Sequence, residues 1–234
     1  MRFIDLGTVT PEYSVCADKV LLNSYSEDTL LIYSRDRPCV SVGRSQKISE
    51  TVNSEYVKKN NVPVVRRISG GSNIYSDTEQ MTYSLIVSRD SLPGTRNASF
   101  AMVCGAVVAS LKRLGIDGEY KPINDVLVNN KKISGGAQAR TRDAILQHGS
   151  IILDVDREAV ASSLVDRKER SYGGLTSVKE CLGYVPPRND IVESLMYGFG
   201  ETFGPVVKGK LTEREKEDIE RSRDLLLAQV VHIQ

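Results

Sequence analysis

The alternation of helical and strand-type hydrophobic patterns predicts an α+β fold, a mixed and largely antiparallel β-sheet flanked by α-helices. Three observations carry that expectation. Residues 98–115 repeat apolar side chains at helical spacing, with Phe100, Val103, Cys104, Val107, Val108, Leu111 and Leu114 on one face. Short runs rich in Val, Ile, Leu and Tyr at 30–35, 39–44, 62–67 and 81–87 read as strands. Asn129-Asn130 stands at the centre of DVLVNNKKIS, the pattern of a tight β-hairpin.

In chain order, residues 11–25 place Tyr13, Cys16, Ala17, Val20 and Leu21 on one helical stripe, which puts Cys16 in the core. LLIYSR at 30–35 and CVSVGR at 39–44, separated by a turn containing Pro38, are expected to be neighbouring strands. A helix-like, lysine-containing stretch covers 49–60. VPVVRR then reads as a buried strand that delivers Arg66 and Arg67 into a Gly-Gly loop, and MTYSLIV at 81–87 as the next strand. The helix over 98–115 stops at Gly115, a residue suited to a helix C-terminus. AILQHGSIILDVD ends in a further strand beyond the Asn-Asn hairpin, which makes the sheet mostly antiparallel. Helical patterns return near 156–166, 189–203 and 211–227, the last rich in Glu, Lys and Arg and expected as a solvated helix. No repeat or low-complexity linker interrupts the chain, so residues 1–234 are expected to form a single domain.

Composition excludes several classes. Hydrophobic residues at 40% and charged residues at 26% match an ordinary globular protein rather than a disordered one. Thirty-one basic residues against 30 acidic ones leave a net charge of +1, with no whole-protein attraction to nucleic acid or anionic membrane. The N-terminal MRFIDLGTVTPEYSV lacks a signal-peptide core, and no apolar run reaches the roughly 20 residues that span a bilayer, so a cytoplasmic protein with reduced thiols is expected. The four cysteines at 16, 39, 104 and 181 form no close pair, which leaves no zinc knuckle, dithiol motif or other metal site to predict.

Three stretches carry chemistry. RRISGGSNIYSD (66–77) joins two arginines to a Gly-Gly pair: exposed glycine N–H groups donate to anionic oxygens and arginine binds them through paired donors, although Gly-Gly between strands is also an ordinary turn. INDVLVNNKKISGGAQAR (123–140) places Asn124 and Asp125 at the head of one hairpin strand and Lys132 on the return strand, before a second Gly-Gly. LQHGSIIL holds His148, one of two histidines, at the edge of a strand; such a residue is structural or functional.

Together these stretches resemble the lipoate–protein ligase and octanoyltransferase superfamily, which shares its catalytic fold with biotin–protein ligases. The ligase pattern runs R-R-x-S-G-G-G-A-V-Y-H-D, N-D, G-x-K-I-x-G-x-A, and a downstream His. Arg66, Arg67, Ser69, Gly70, Gly71, Tyr75 and Asp77 match the first block, Asn124 and Asp125 the second, and Lys132, Ile133, Gly135 and Ala137 the third, while His148 falls at the family's offset from the lysine. VGRSQ at 42–46 is similar to the family's strand-end G-R-x-Q, and the resemblance runs from about residue 10 to about 220. It implies that ATP, with Mg2+, and lipoate condense to lipoyl-adenylate. The acyl group then passes to a lysine of a lipoyl-domain acceptor, such as a 2-oxoacid dehydrogenase acyltransferase subunit or the glycine cleavage H-protein. Lys132 is the implied catalytic residue, holding carboxylate and phosphate oxygens. Arg67 and the Gly70–Gly71 backbone would neutralise phosphate, Asp125 would orient the nucleotide side, and His148 would line the acyl pocket. Ser69, Ser72, Asn73, Tyr75, Asp77, Asn124, Gly135 and Ala137 complete the implied binding set.

Ser72, Asn73 and Ser76 stand where the family has Gly, Ala and His, which adds polar side chains and leaves the preferred acid open. The alternative class is an ATP-independent octanoyl or lipoyl transferase with a cysteine thioester. One transferase type carries its nucleophile upstream of the lysine loop, where this chain reads IDGEYKP; the other carries it downstream, where only Cys181 in SVKECLGY remains. That pattern favours the ligase over the transferase; the Asn-Asp and Lys-Ile-x-Gly order favours it over a biotin-ligase-like enzyme, and the presence of Arg67, Asp125 and Lys132 over an inactive binding protein. Family ligases that work alone carry a further small domain, and this sequence ends in LLLAQVVHIQ. A separate small accessory protein is therefore the last expectation, with LLLAQVV either forming its docking surface or packing back on the chain's own sheet.

Overall fold

The computed structural model describes residues 1–165 and 174–230. The chain runs β1 (Arg2–Val9), α1 (Pro11–Asn23), β2 (Thr29–Arg35), β3 (Cys39–Val42), α2 (Ile48–Thr51), α3 (Ser54–Lys59), β4 (Val64–Arg66), β5 (Ile74–Ser76) and β6 (Gln80–Ser88). It continues through α4 (Arg96–Arg113), β7 (Glu119–Lys121), β8 (Asp125–Val128), β9 (Lys131–Arg140), β10 (Ala144–Ile152), α5 (Arg157–Ser163), α6 (Val178–Leu182), α7 (Arg188–Phe203), β11 (Val207–Lys208) and α8 (Glu213–Val230). Eight strands form one sheet in the order β11-β1-β2-β6-β10-β9-β8-β7, and β4-β3-β5 form a second. β1 runs parallel to β2 and β11, and the other neighbours in the large sheet are antiparallel, so the mixed, largely antiparallel α+β expectation holds.

The long elements form where their periodicity puts them. α4 buries Phe100, Val103, Cys104, Val107 and Leu111, and Thr95 caps its N-terminus by accepting from Ala98 N. Asn129 and Asn130 both take positive φ, 50° and 60°, as a two-residue hairpin turn requires.

One pairing differs from expectation. β2 and β3 are consecutive but lie in different sheets, because β2 already has β1 on one edge and β6 on the other. With no free edge beside it, β3 turns away after Pro38 and starts the second sheet. β1 was not foreseen: its alternation is broken by a register shift between Asp5 and Gly7, where Gly7 takes φ 68°. The 49–60 stretch is two short helices, since Val52 packs inward and Asn53 caps α3 by accepting from Tyr56 N. The helix expected over 156–166 is α5, and its last expected position lies outside the described residues.

Pleating divides the large sheet. Leu30, Ile32, Tyr83, Leu85 and Ile151 face α4 and α7, with Tyr83 and Phe199 rings 5.3 Å apart. Leu31, Ile86 and Leu146 face α1 on the other side. Two residues further along those strands the second face turns polar, with Tyr33, Ser84 and Thr82, and His148 and Ser150. α8 covers α1 with Ile219 fully buried, and Glu215 meets Arg2 of β1 at 2.7 Å. That helix is solvated on its outer side only. In the LLLAQVV segment Leu225 and Leu227 are exposed and Leu226 packs on the α1 cluster; the later side chains lie outside the described residues. Among the described residues no helix is long and apolar enough to cross a membrane.

The α4–α7 contact depends on Gly198, because a Cβ there would overlap the Ala106 carbonyl and the Ser110 hydroxyl. Gly198→Ala should force the helices apart and destabilise the fold by about 1–3 kcal/mol, read as a lower urea midpoint. An unchanged midpoint would mean that the helices do not close on this residue.

Candidate active site

Registers across five strands build the floor of the site. Asp125 of β8 pairs with Gly135 of β9, Gly135 with Ser150 of β10, Ser150 with Thr82 of β6, and Thr82 with Tyr33 of β2. Directly paired residues share a face, so these line up as one polar row. Four inter-strand steps of about 4.8 Å make it about 19 Å long. The adjacent row on the same face carries Ala137, His148 and Ser84. The small sheet roofs one end, and the result is a cavity of roughly 530 Å³, the size of a small-molecule site.

Both arginines of the first motif organise loops. Arg66 donates through Nη1 to the carbonyls of Gly43, Arg44 and Gln46 at 3.0, 3.1 and 2.9 Å. Arg67 is buried and donates to Ser69 Oγ at 3.0 Å and to the carbonyls of Ser41, Gly70 and Ser72 at 2.9, 2.7 and 2.8 Å. A trans peptide points its N–H opposite to its C=O. Drawing the Gly70 carbonyl onto Arg67 therefore turns the Gly71 N–H away from it, as a donor cradle needs. Gly71 lines the cavity with φ 91°, and its carbonyl sits so close to Gly43 that a Cβ on Gly43 would overlap it.

At the opposite end Lys132 Nζ lies 2.5 Å from Asp125 Oδ1, both side chains about one third exposed. The Lys132 main chain is clamped by 174–176, its N donating to Gly174 O at 2.6 Å and its O accepting from Thr176 N at 2.9 Å. Asn124 closes the neighbouring turn, its side chain donating to Gly136 O while its own carbonyl accepts from Gly136 N. Apolar side chains of Ile74, Ile152, Val155, Val160 and Leu175 line another part of the wall.

The structure gathers most of the sequence-predicted residues here: Arg67, Gly71, Ser72, Tyr75, Asp77, Asn124, Asp125, Lys132, Gly135, Ala137 and His148 all line the cavity. Asp77 is nearly buried, and burial pushes its carboxyl above the usual carboxylate range. Ser69, Gly70 and Asn73 do not line it. Asn73 is buried, accepts from Gly43 N at 3.2 Å and donates to Thr51 Oγ1 at 2.5 Å, so its amide ties the roof together instead of adding polarity to the pocket. Ser69 is fully buried behind His148.

Sequence reasoning missed Tyr33 and Arg35 of β2, which line the same cavity, and Asp18 of α1, which contacts His148. A signal existed for each. Arg35 follows Tyr33 at the strand period of two, and Asp18 sits one helical turn after the buried Ser14, a charge on an inward face. None of the four cysteines lines the cavity. Burial pushes the thiols of Cys16 and Cys39 up, and that of Cys104 up to about 12; Cys181 packs against the core under α4 and α7.

Residues 10–200 match the family model for the lipoyl protein ligase A/B catalytic domain. Lipoate–protein ligase 1 of Staphylococcus aureus is 32% identical over 232 residues, covering 94% of this chain and 69% of the relative. Octanoyltransferase LipM of Kyrpidia tusciae is 29% identical over 257 residues, covering 94% and 93%. Among solved structures, lipoate–protein ligase A bound with ATP superposes with TM-score 0.85 at 25% identity, covering 95% of this chain and 94% of that one. The bi-partite lipoate protein ligase of Thermoplasma acidophilum, studied with its E2 lipoyl domain, also gives 0.85, at 26% identity and 95% and 91% coverage. With that match over most of its length, the chain belongs to the lipoyl protein ligase A/B catalytic-domain family.

Proposed function

We propose that this protein is an ATP-dependent lipoate–protein ligase. In the first step a lipoate carboxylate oxygen attacks the α-phosphorus of ATP and releases pyrophosphate. In the second the ε-amine of an acceptor lysine attacks the lipoyl carbonyl, forms the amide and releases AMP. The observation that carries this reading over a transferase is the composition of the cavity wall: it holds Lys132 and no cysteine. A thioester route needs a thiolate, and burial works against that form at Cys16, Cys39 and Cys104. Similarity to both ligases and octanoyltransferases leaves the decision to the site.

In this reading Lys132 gathers the carboxylate and α-phosphate oxygens as negative charge develops, and Asp125 holds Lys132 in place before substrate arrives. The Gly71 amide and the field of Arg67 face the phosphates. The wall of Ile74, Ile152, Val155, Val160 and Leu175 takes the acyl tail. When bound, Mg2+ would come in on the triphosphate with one carboxylate beside it, the usual arrangement for this ion; Asp125 would supply that carboxylate. The acceptor is a lipoyl domain, as in the Thermoplasma system, and by the same likeness a separate small subunit closes the adenylate site against water.

The two half-reactions test this together. The isolated chain should pass lipoyl from presynthesised lipoyl-adenylate to a lipoyl domain without ATP. With lipoate and ATP it should make acid-labile lipoyl-AMP and pyrophosphate, faster when an accessory subunit is added. Cys181→Ser should leave both rates unchanged. Acyl transfer from an acyl-carrier thioester without ATP, with a trapped acyl-cysteine, would replace the ligase reading by the transferase one.

A further inference from the structure

His148 is held at both ring nitrogens. Nδ1 lies 2.6 Å from Asp18 Oδ2, and Nε2 lies 2.6 Å from Ser69 Oγ. Ser69 Oγ also accepts from Arg67 Nε at 3.0 Å. All four side chains are buried, Asp18 at 2% exposure and Ser69 at 0%, so water does not compete for these bonds. With a single proton on the imidazole the ends of the chain fix its direction, because a guanidinium N–H only donates and a carboxylate only accepts. Arg67 gives Nε–H to Ser69, Ser69 gives its hydroxyl proton to His148 Nε2, and His148 gives Nδ1–H to Asp18. Each hydrogen bond on the path then has one donor and one acceptor, and Asp18 Oδ1 is the buried polar atom of the group that is left without a hydrogen bond.

We propose that Asp18 is a positioning residue for the anion-binding loop. It holds the His148 proton on Nδ1, which makes Nε2 the acceptor for Ser69 and leaves Ser69 Oγ to accept from Arg67. Arg67 in turn holds the carbonyls of Gly70 and Ser72. The effect reaches from α1 through β10 into the roof of the cavity, although Asp18 itself touches no part of the cavity. The consequence for nucleotide rests on the ligase reading above; the proton arrangement does not.

A 15N-histidine-labelled sample tests both parts separately. The chain has two histidines, His148 and His232, and a His232→Gln variant assigns the spectrum. The wild type should show His148 as the Nδ1–H tautomer, and Asp18→Asn should convert it to the Nε2–H form or a mixture. In the same variant the affinity for Mg2+-ATP should fall roughly 10- to 100-fold, the size of effect expected when a buried polar group loses its hydrogen-bond partner, and Asp18→Glu should restore part of it. Ser69→Ala breaks the chain on the other side: it should weaken Mg2+-ATP to a similar degree while His148 keeps its proton on Nδ1. That variant decides the matter if Asp18→Asn does not fold. A wild-type Nε2–H tautomer overturns the proposal, as does Ser69→Ala with unaltered nucleotide affinity. Correct tautomers in a protein that binds no ATP would count against the ligase reading alone.

Discussion

Lys132→Ala should lower the rate of lipoyl-adenylate formation by on the order of 10²-fold or more while leaving the protein folded. Two effects combine. The substitution removes the cation placed to meet the carboxylate and the α-phosphate, and it also leaves Asp125 without the ammonium that stands 2.5 Å from its Oδ1. A site built to attract an anion would then present a bare carboxylate to it, and like charges at close range oppose binding as well as chemistry. The fold should not follow, because β9 is secured by its main chain to β8, β10 and the 174–176 segment. The check is pyrophosphate release with lipoate as co-substrate, alongside a thermal melt. Near-wild-type release from a folded variant would take Lys132 out of the mechanism.

Much of this arrangement was legible because it rests on local rules. A helix as long as α4 shows its buried face through period, and Asn129-Asn130 announces the hairpin that sets Asp125 and Lys132 on adjacent strands. Strands β5, β7 and β11 span two or three residues, too few for any period to register. The separation of β2 from β3 depends on which edges are already taken, a property of the whole sheet that no window of sequence contains. The site divides in the same way. The glycines, Lys132 and Arg67 were recognisable from their motifs, whereas the hydrogen bonds by which Arg66 and Arg67 hold loop carbonyls and shape the backbone that faces the cavity appear only in the folded chain. Asp18 lies 130 positions from His148, so only the packing of α1 on β10 reveals the pair.

Gly135→Ala should cost nearly as much activity as losing Lys132, about 10- to 100-fold, although it removes no charge and no hydrogen bond. A Cβ on Gly135 would overlap Cε and Nζ of Lys132 and press on Asp125 Oδ1. β9 is extended at this position, so alanine itself is not strained, and the lysine tip is flexible enough to swing aside. Relief is therefore cheap for the fold and expensive for the site: the ammonium moves by an ångström or more from the place where charge develops, and such misplacement alone is worth about 10²-fold. The expected signature is an unchanged melting temperature, a lowered rate of adenylate synthesis, and no further loss when Gly135→Ala is combined with Lys132→Ala. Additive losses in the double variant would show that Gly135 acts through some other contact, and a fully active single variant would mean that the ion pair with Asp125 is not the working position of Lys132.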